Sequence, residues 1–219
     1  MSAHQAFCAL RSVKVKKSPG PDKVSNRIWK EFAFELAPVL RDLYNTSLVE
    51  GVVPCAWKQS IVVPVPKVNP PKVLEEDLRP ISLTALLAKI TEGFTYDSLA
   101  RQVLGQLDIK QFCVKGKCTT HALVYLFHSI LQFLDRGNTS IRIFFADFSK
   151  GFDPVDHNVL LEELHVLNVY PSINRGIGAF LSKRSQRERV GKSLSSPCIP
   201  SWRNSPGYKI SPLVVCHFS

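Results

Sequence analysis

The stretch running from Ile141 through Asp147 to Asp153 constrains this chain most, because it drives an apolar, β-favouring segment into a lone carboxylate. Ile141, Ile143 and Phe145 alternate with Arg142 and Phe144, so period-two parity predicts a strand that ends with Asp147 on the face of Ile143 and Phe145. A carboxylate buried there without a partner would cost several kcal/mol or take up a proton. A divalent cation, a lysine or open solvent must therefore accompany it. An isolated Asp after a strand is ordinarily a turn cap, so the blocks on either side have to decide between the two readings.

Those blocks come in order. Lys17-Ser18-Pro19-Gly20-Pro21-Asp22-Lys23 is a rigid basic turn before a helix-like segment, and Trp57-Lys58 leads into a β-branched run that ends at Pro66-Lys67. Leu78-Arg79-Pro80-Ile81-Ser82-Leu83 follows, then Gln111-Phe112 and Gly116-Lys117-Cys118-Thr119-Thr120, then the segment with Asp147. This succession resembles the reverse transcriptase domain of non-long-terminal-repeat (LINE-type) retrotransposons, whose pattern runs S-x-G-P-D, W-K…P-x-x-K, Y-R-P-I-S-L, Q-x-G-F…S-T, D-F-S-K-A-F-D-x-V-x-H and P-Q-G-S-x-L-S-P-L. Several ordered blocks are far more specific than any one of them.

The departures are also informative. Gly151 stands in place of the usual Ala, Leu78 in place of Tyr, and Val114 breaks the Gln-x-Gly-Phe block. In the segment from Ser205 to Leu213, which is similar to the P-Q-G-S-x-L-S-P-L block and keeps Gly207, Pro206 replaces the Gln and Tyr208 the Ser. The chain ends at Ser219, ahead of the aromatic-x-Asp-Asp hairpin of the pattern. The resemblance therefore implies an α+β fold with the fingers and a partial palm of a right-hand polymerase and no thumb. It implies a basic arm over 1–16, and over 17–219 a reverse transcriptase-like domain truncated before the second catalytic Asp motif.

The same resemblance implies RNA-templated DNA synthesis from an RNA template, a DNA primer and deoxynucleotide triphosphates. Asp147 and the main-chain carbonyl of Phe148 would be ligands to Mg²⁺. Lys67 and Arg79 would face the incoming triphosphate, where a lysine point charge and an arginine fork neutralise phosphate oxygens. Phe152 would sit under the sugar and reject a ribose 2′-hydroxyl, and Gly207 would support the nucleotide. Two-metal chemistry holds the reacting oxygens between cations about 3.5–4 Å apart, bridged by carboxylates. One Asp cannot keep both ions in register, so the expectation is that the isolated chain lacks useful polymerase activity. The alternative from a different class is a catalytically dead remnant acting as a basic RNA- or DNA-binding module.

Charge is compatible with either reading. The chain carries +10, and the excess sits at its ends: seven Lys or Arg against one acid in residues 1–30, eight against one in residues 171–219. Lys183, Arg184, Arg187, Arg189 and Lys192 are expected to form a positive surface suited to a phosphate backbone, with a merely solvated charged face as the alternative. Six cysteines without a C-x-x-C pair or finger-spaced histidines argue against zinc and for reduced intracellular thiols. No stretch approaches the about 18 uninterrupted apolar residues of a membrane span, and no leader pattern opens the chain, so an intracellular location is expected, nuclear by resemblance.

Local signals predict the element order. Ser25 is read as the cap of a helix carrying Ile28, Trp29, Phe32 and Leu36, with Pro38 opening a second helix. Ile61–Val65 is read as a strand that Pro64 and Pro66 push to a sheet edge. Helices are expected from Thr84 to about Leu104, from Thr119 to Leu134, after the cap Asp156, and from Ser172 to Leu181, with a strand near Arg187–Gly191. Asp153 and His157 are assigned to the turn and helix start rather than to chemistry.

Overall fold

The β-branched run Ile61-Val62-Val63 forms β1 (Gln59–Pro66), which turns back through the Pro70-Pro71 loop into β2 (Leu78–Thr84). The computed structural model describes residues 1–73, 77–114, 116–137, 140–146 and 155–199. Before β1 lie α1 (Ala3–Arg11), α2 (Asn26–Glu31), α3 (Ala33–Glu50) and a 3₁₀ turn at Cys55–Lys58. After β2 come α4 (Leu86–Val103), α5 (Thr119–Asp135), α6 (His157–Val166), α7 (Pro171–Leu181), β3 (Ser185–Val190) and the short β4 (Ser193–Leu194). The architecture is mixed α+β around a small mixed sheet of order β2-β1-β3-β4.

Antiparallel pairing of β1 with β2 sets Ser60 opposite Thr84, Val62 opposite Ser82 and Pro64 opposite Pro80. β3 runs parallel to β1 from Gln59↔Ser185 to Val62↔Glu188. This corrects the expectation that its prolines make β1 an edge strand. Two facing prolines cannot exchange N–H bonds, so Pro64–Pro80 must be a non-hydrogen-bonded pair, with the Pro64 nitrogen turned toward the β3 side. The β3 ladder ends at Val62, so that nitrogen deprives no neighbour of a donor. Pro80 turns its nitrogen to the open edge of β2 and blunts it.

Two apolar clusters hold α1, α3, α4, α6 and α7. Leu99, Ala100 and Val103 of α4 pack with Leu160 and Leu164 of α6 and with Ile173 and Ile177 of α7. Ala6 and Leu10 of α1, both fully buried, pack with Ala37 and Leu40 of α3, Trp57, Ala88 of α4 and Phe180 of α7. The stretch expected to be a basic arm therefore contains a helix seated in the core, begun by a Ser2–Gln5 capping box. Helices α4 and α7 contribute to both clusters, and Tyr44 Oη lies 3.2 Å from Thr95 Oγ1 between α3 and α4. Burial raises the Tyr44 phenol above its ordinary value.

Ser25 caps α2 through the amide of Arg27, and Asp156 caps α6 through the amide of Asn158 at 2.7 Å, both as the sequence predicts. Pro38 opens no helix. It lies within α3, where it removes the bond to the carbonyl of Phe34, an exposed residue of the first turn. The expected strand at 141–145 is also corrected: residues 140–146 pair with nothing among the described residues, and Phe144 and Phe145 are exposed. β-propensity alone makes no strand without a ladder partner.

Gly20, in the Ser-Pro-Gly-Pro-Asp block, lies against the junction of β2 and α4: a Cβ there would stand 2.7 Å from the Thr84 carbonyl oxygen and 2.7 Å from Ala85 Cα. A Cβ on Gly93, inside α4, would meet nothing from the rest of the described residues within 4 Å, the nearby backbone of its own helix aside. Gly20→Ala is expected to destabilise the chain by about 1–3 kcal/mol through overpacking against backbone. Gly93→Ala is expected to stabilise it by up to about 1 kcal/mol through helix propensity. Urea denaturation of the two variants checks the opposite signs.

Candidate nucleic-acid and nucleotide interface

Alternation along the paired strands divides the sheet into two faces. Ser60, Val62 and Thr84 are buried on the inner face. On the outer face Ile61 pairs with Leu83, Val63 with Ile81 and Val65 with Arg79, and β3 sets Arg187 beside Ile61. Period two then carries Arg189 to the same face as Arg187, and Lys67 to the same face as Val65. The outer face is thus an apolar strip, with Ile81 and Val65 exposed, bordered by Lys67 and Arg79 at one end and by Arg187 and Arg189 along β3.

The end of the hairpin is tied down locally. The Lys67 amide donates to the Asp77 carbonyl at 2.7 Å, and the amides of Lys72 and Val73 donate to the Asp77 carboxylate at 2.8 and 3.0 Å. Those two amide bonds, with the Lys67 charge adding to them, hold the Asp77 carboxyl below its ordinary value. Arg79, Arg187, Lys183 and Lys192 are exposed and Arg189 is partly so.

Arg184 departs from the expected basic surface. It is 4% exposed, its guanidinium lies 4.4 Å from the centroid of the Phe180 ring, and its Nη1 donates to the Phe180 carbonyl at 3.3 Å. The delocalised, weakly hydrated guanidinium tolerates this site, where it joins the end of α7 to the start of β3. His157, at the first turn of α6, is lowered by burial; the nearby Asp156 partly offsets this and the charge of Arg184 adds to it.

The Gln111-Phe112 block is fixed by Lys117, whose Nζ donates to the carbonyls of Ile109 at 2.7 Å and Gln111 at 2.9 Å and lies 5.2 Å from the Phe112 ring centroid. The next residue, which the sequence offered only as one of two thiols flanking a basic turn, takes a definite place. Cys118 precedes α5 with its Sγ 3.3 Å from His121 Nδ1, and hydrogen bonds from the His121 and Thr120 amides lower its thiol below the ordinary value. The signal was a cysteine where a helix N-cap belongs.

Asp147, Phe148, Phe152 and Gly207 lie outside the described residues. Among the described residues there is no group of three or more His, Cys, Asp or Glu side chains that could hold a metal ion. None of the described helices is long and apolar enough to cross a membrane.

No protein-family model matches the chain. Over 96% of its length it is 28% identical to a probable RNA-directed DNA polymerase from transposon BS of Drosophila melanogaster. Over 85% of its length it is 25% identical to the RNA-directed DNA polymerase from mobile element jockey of the same organism. The chain is reverse transcriptase-like. It spans 23% and 20% of the length of these two curated relatives. In this reverse transcriptase-like chain, the two blocks that carry Lys67 and Arg79 are the paired strands of one hairpin, so residues twelve apart in sequence share one end of one sheet face.

The Asp77 clasp gives a pH prediction. Its folded-state value is depressed, so the loop contacts are present above the ordinary carboxylate value of 3.8 and are lost as pH falls through the lower folded value. NMR titration of the Lys72 and Val73 amides should show a midpoint below 3.8. A midpoint at or above that value would contradict the clasp.

Proposed function

We propose that this chain carries the nucleotide- and strand-facing part of an RNA-directed DNA polymerase, the fingers and the first part of the palm, over 17–219. The family reaction joins a primer 3′-hydroxyl to the α-phosphate of a deoxynucleotide, with pyrophosphate leaving. Lys67 and Arg79 would neutralise the triphosphate, Phe152 would limit the sugar and Gly207 would allow close approach of the nucleotide. Lys183, Arg187 and Arg189 would hold the phosphates of the RNA template or DNA primer. Arg184 would act through the fold, by joining α7 to β3. Asp147 and the Phe148 carbonyl would hold a divalent cation, Mg²⁺ in the family, which when bound would neutralise charge developing on the phosphates.

The observation that supports this reading best is the shared outer face of Lys67, Arg79, Arg187 and Arg189 around a half-exposed apolar strip. Cations bordering an apolar surface suit a single strand, whose phosphates need charge and whose bases need apolar contact. Binding is therefore the function asked of the described residues, and synthesis is the family's reaction asked of the whole enzyme.

Fluorescence anisotropy with a primed RNA over a range of salt tests the face. Replacing both Arg187 and Arg189 by Gln should flatten the dependence of log K on log salt by roughly 1.4–1.8 in slope. The fold, followed by circular dichroism, should be unchanged. An unchanged slope would remove β3 from the interface. Primer extension with Mg²⁺ separates the two classes of function: extension abolished by Asp147→Ala assigns the cation to that residue, whereas binding without extension leaves a nucleic-acid binder.

A further inference from the structure

On the inner side of the hairpin, a groove of about 560 Å³ opens between the segment 12–20 and α4. Lys67, Arg79, Arg187 and Arg189 do not line it; it lies at the Thr84 end of β2, about 17 Å along the strand from Arg79 at the usual rise per residue. Its volume falls in the range of small-ligand sites.

Both walls are fixed. The buried Asn26 side chain donates to the carbonyls of Lys14 at 3.4 Å and Lys17 at 3.1 Å, so one amide sets the course of the basic segment. Gly20 then locks the far end of that segment onto the backbone of Thr84 and Ala85. The opposite wall is α4, which presents Lys89, Ile90 and Phe94. Three lysines against Asp97 leave the lining positive.

Gly93 lines the same groove. Glycine is the least favourable residue inside a helix apart from proline, and one is normally kept where a neighbouring element comes too close for a side chain. Here, among the described residues, no atom beyond its chain neighbours and the nearby backbone of its own helix lies within 4 Å of the place its Cβ would occupy. The chain's own packing gives no reason for this glycine; the open space beside it belongs to the groove.

We propose that this groove is a binding site for a phosphate-bearing nucleotide, with the phosphate against Lys14, Lys17 and Lys89 and the ring over Ile90 and Phe94 in the space left by Gly93. The ligand can be a free nucleotide or the end of a strand; the chemistry recognised is the same. Asp97 can accept from a sugar hydroxyl or an exocyclic amine. The site is separate from the outer sheet face and stands whether or not that face binds a strand.

The test uses the 219-residue chain with two fluorescent probes, N-methylanthraniloyl-ADP and labelled decathymidylate. Gly93→Leu places a side chain into the groove from a position where its Cβ has room, and the Lys14→Gln, Lys17→Gln double variant changes exposed charges alone. Each is expected to weaken at least one probe by about fivefold or more, with the melting temperature retained and with Lys110→Gln, an exposed charge outside both the groove and the sheet face, leaving that binding unchanged. Loss with the ADP probe identifies a free nucleotide, and loss with decathymidylate alone identifies a strand end. A change below about fivefold for both probes in both variants, or no saturable binding of either probe, would overturn the proposal.

Discussion

The antiparallel register of β1 on β2 is the constraint on which the rest of the arrangement depends. Because side chains alternate with a period of two, a slip of β1 by one residue along β2 would turn Ser60 and Val62 out of the core and bring Ile61 and Val63 into it. The facing pair Pro64–Pro80 helps to fix that register, since any one-residue slip would ask a proline nitrogen to donate. Once the register is set, β3 can pair only with the proline-free half of β1, and its arginines then join the outer face.

The helices support this sheet from behind. Trp57, which leads into β1, and Ala85 and Ala88, which lead out of β2, belong to the same cluster as Ala6, Leu10 and Leu40. The hairpin is thereby held at its base, while its free end carries Lys67 and Arg79 and is clasped by Asp77. A rigid base and a locally tied tip are what a phosphate-facing element needs, because charges that must reorganise on binding contribute less.

Much of the helical order was legible in the sequence. Ser25 and Asp156 are caps with a physical mechanism, and the apolar spacing of Leu160, Leu164 and Leu167 identifies a buried helix face. The strand errors share one cause: a strand is a property of two segments. Pro64 and Pro66 looked like edge residues because sequence does not reveal where the β3 ladder stops, and 141–145 looked like a strand because its propensity says nothing about a partner. Arg184 was misread for a related reason. Its burial depends on Phe180 at the end of the preceding helix, and composition counts it as one more surface cation. At the candidate site, the residue types of Lys67 and Arg79 were readable from their blocks. Their common face, and the contact of Gly20 with Thr84 and Ala85, emerge only from the fold.

The central claim, that nucleic acid lies on the outer face of the sheet, is tested most directly by photocrosslinking. A benzophenone side chain introduced singly at Ile81, at Val65 or at Val39 samples three exposed positions, the first two on the outer face and the third on α3. With a primed RNA, crosslinks should form from positions 81 and 65 and not from 39. Equal crosslinking from all three positions, or none from 81 and 65, would contradict the account.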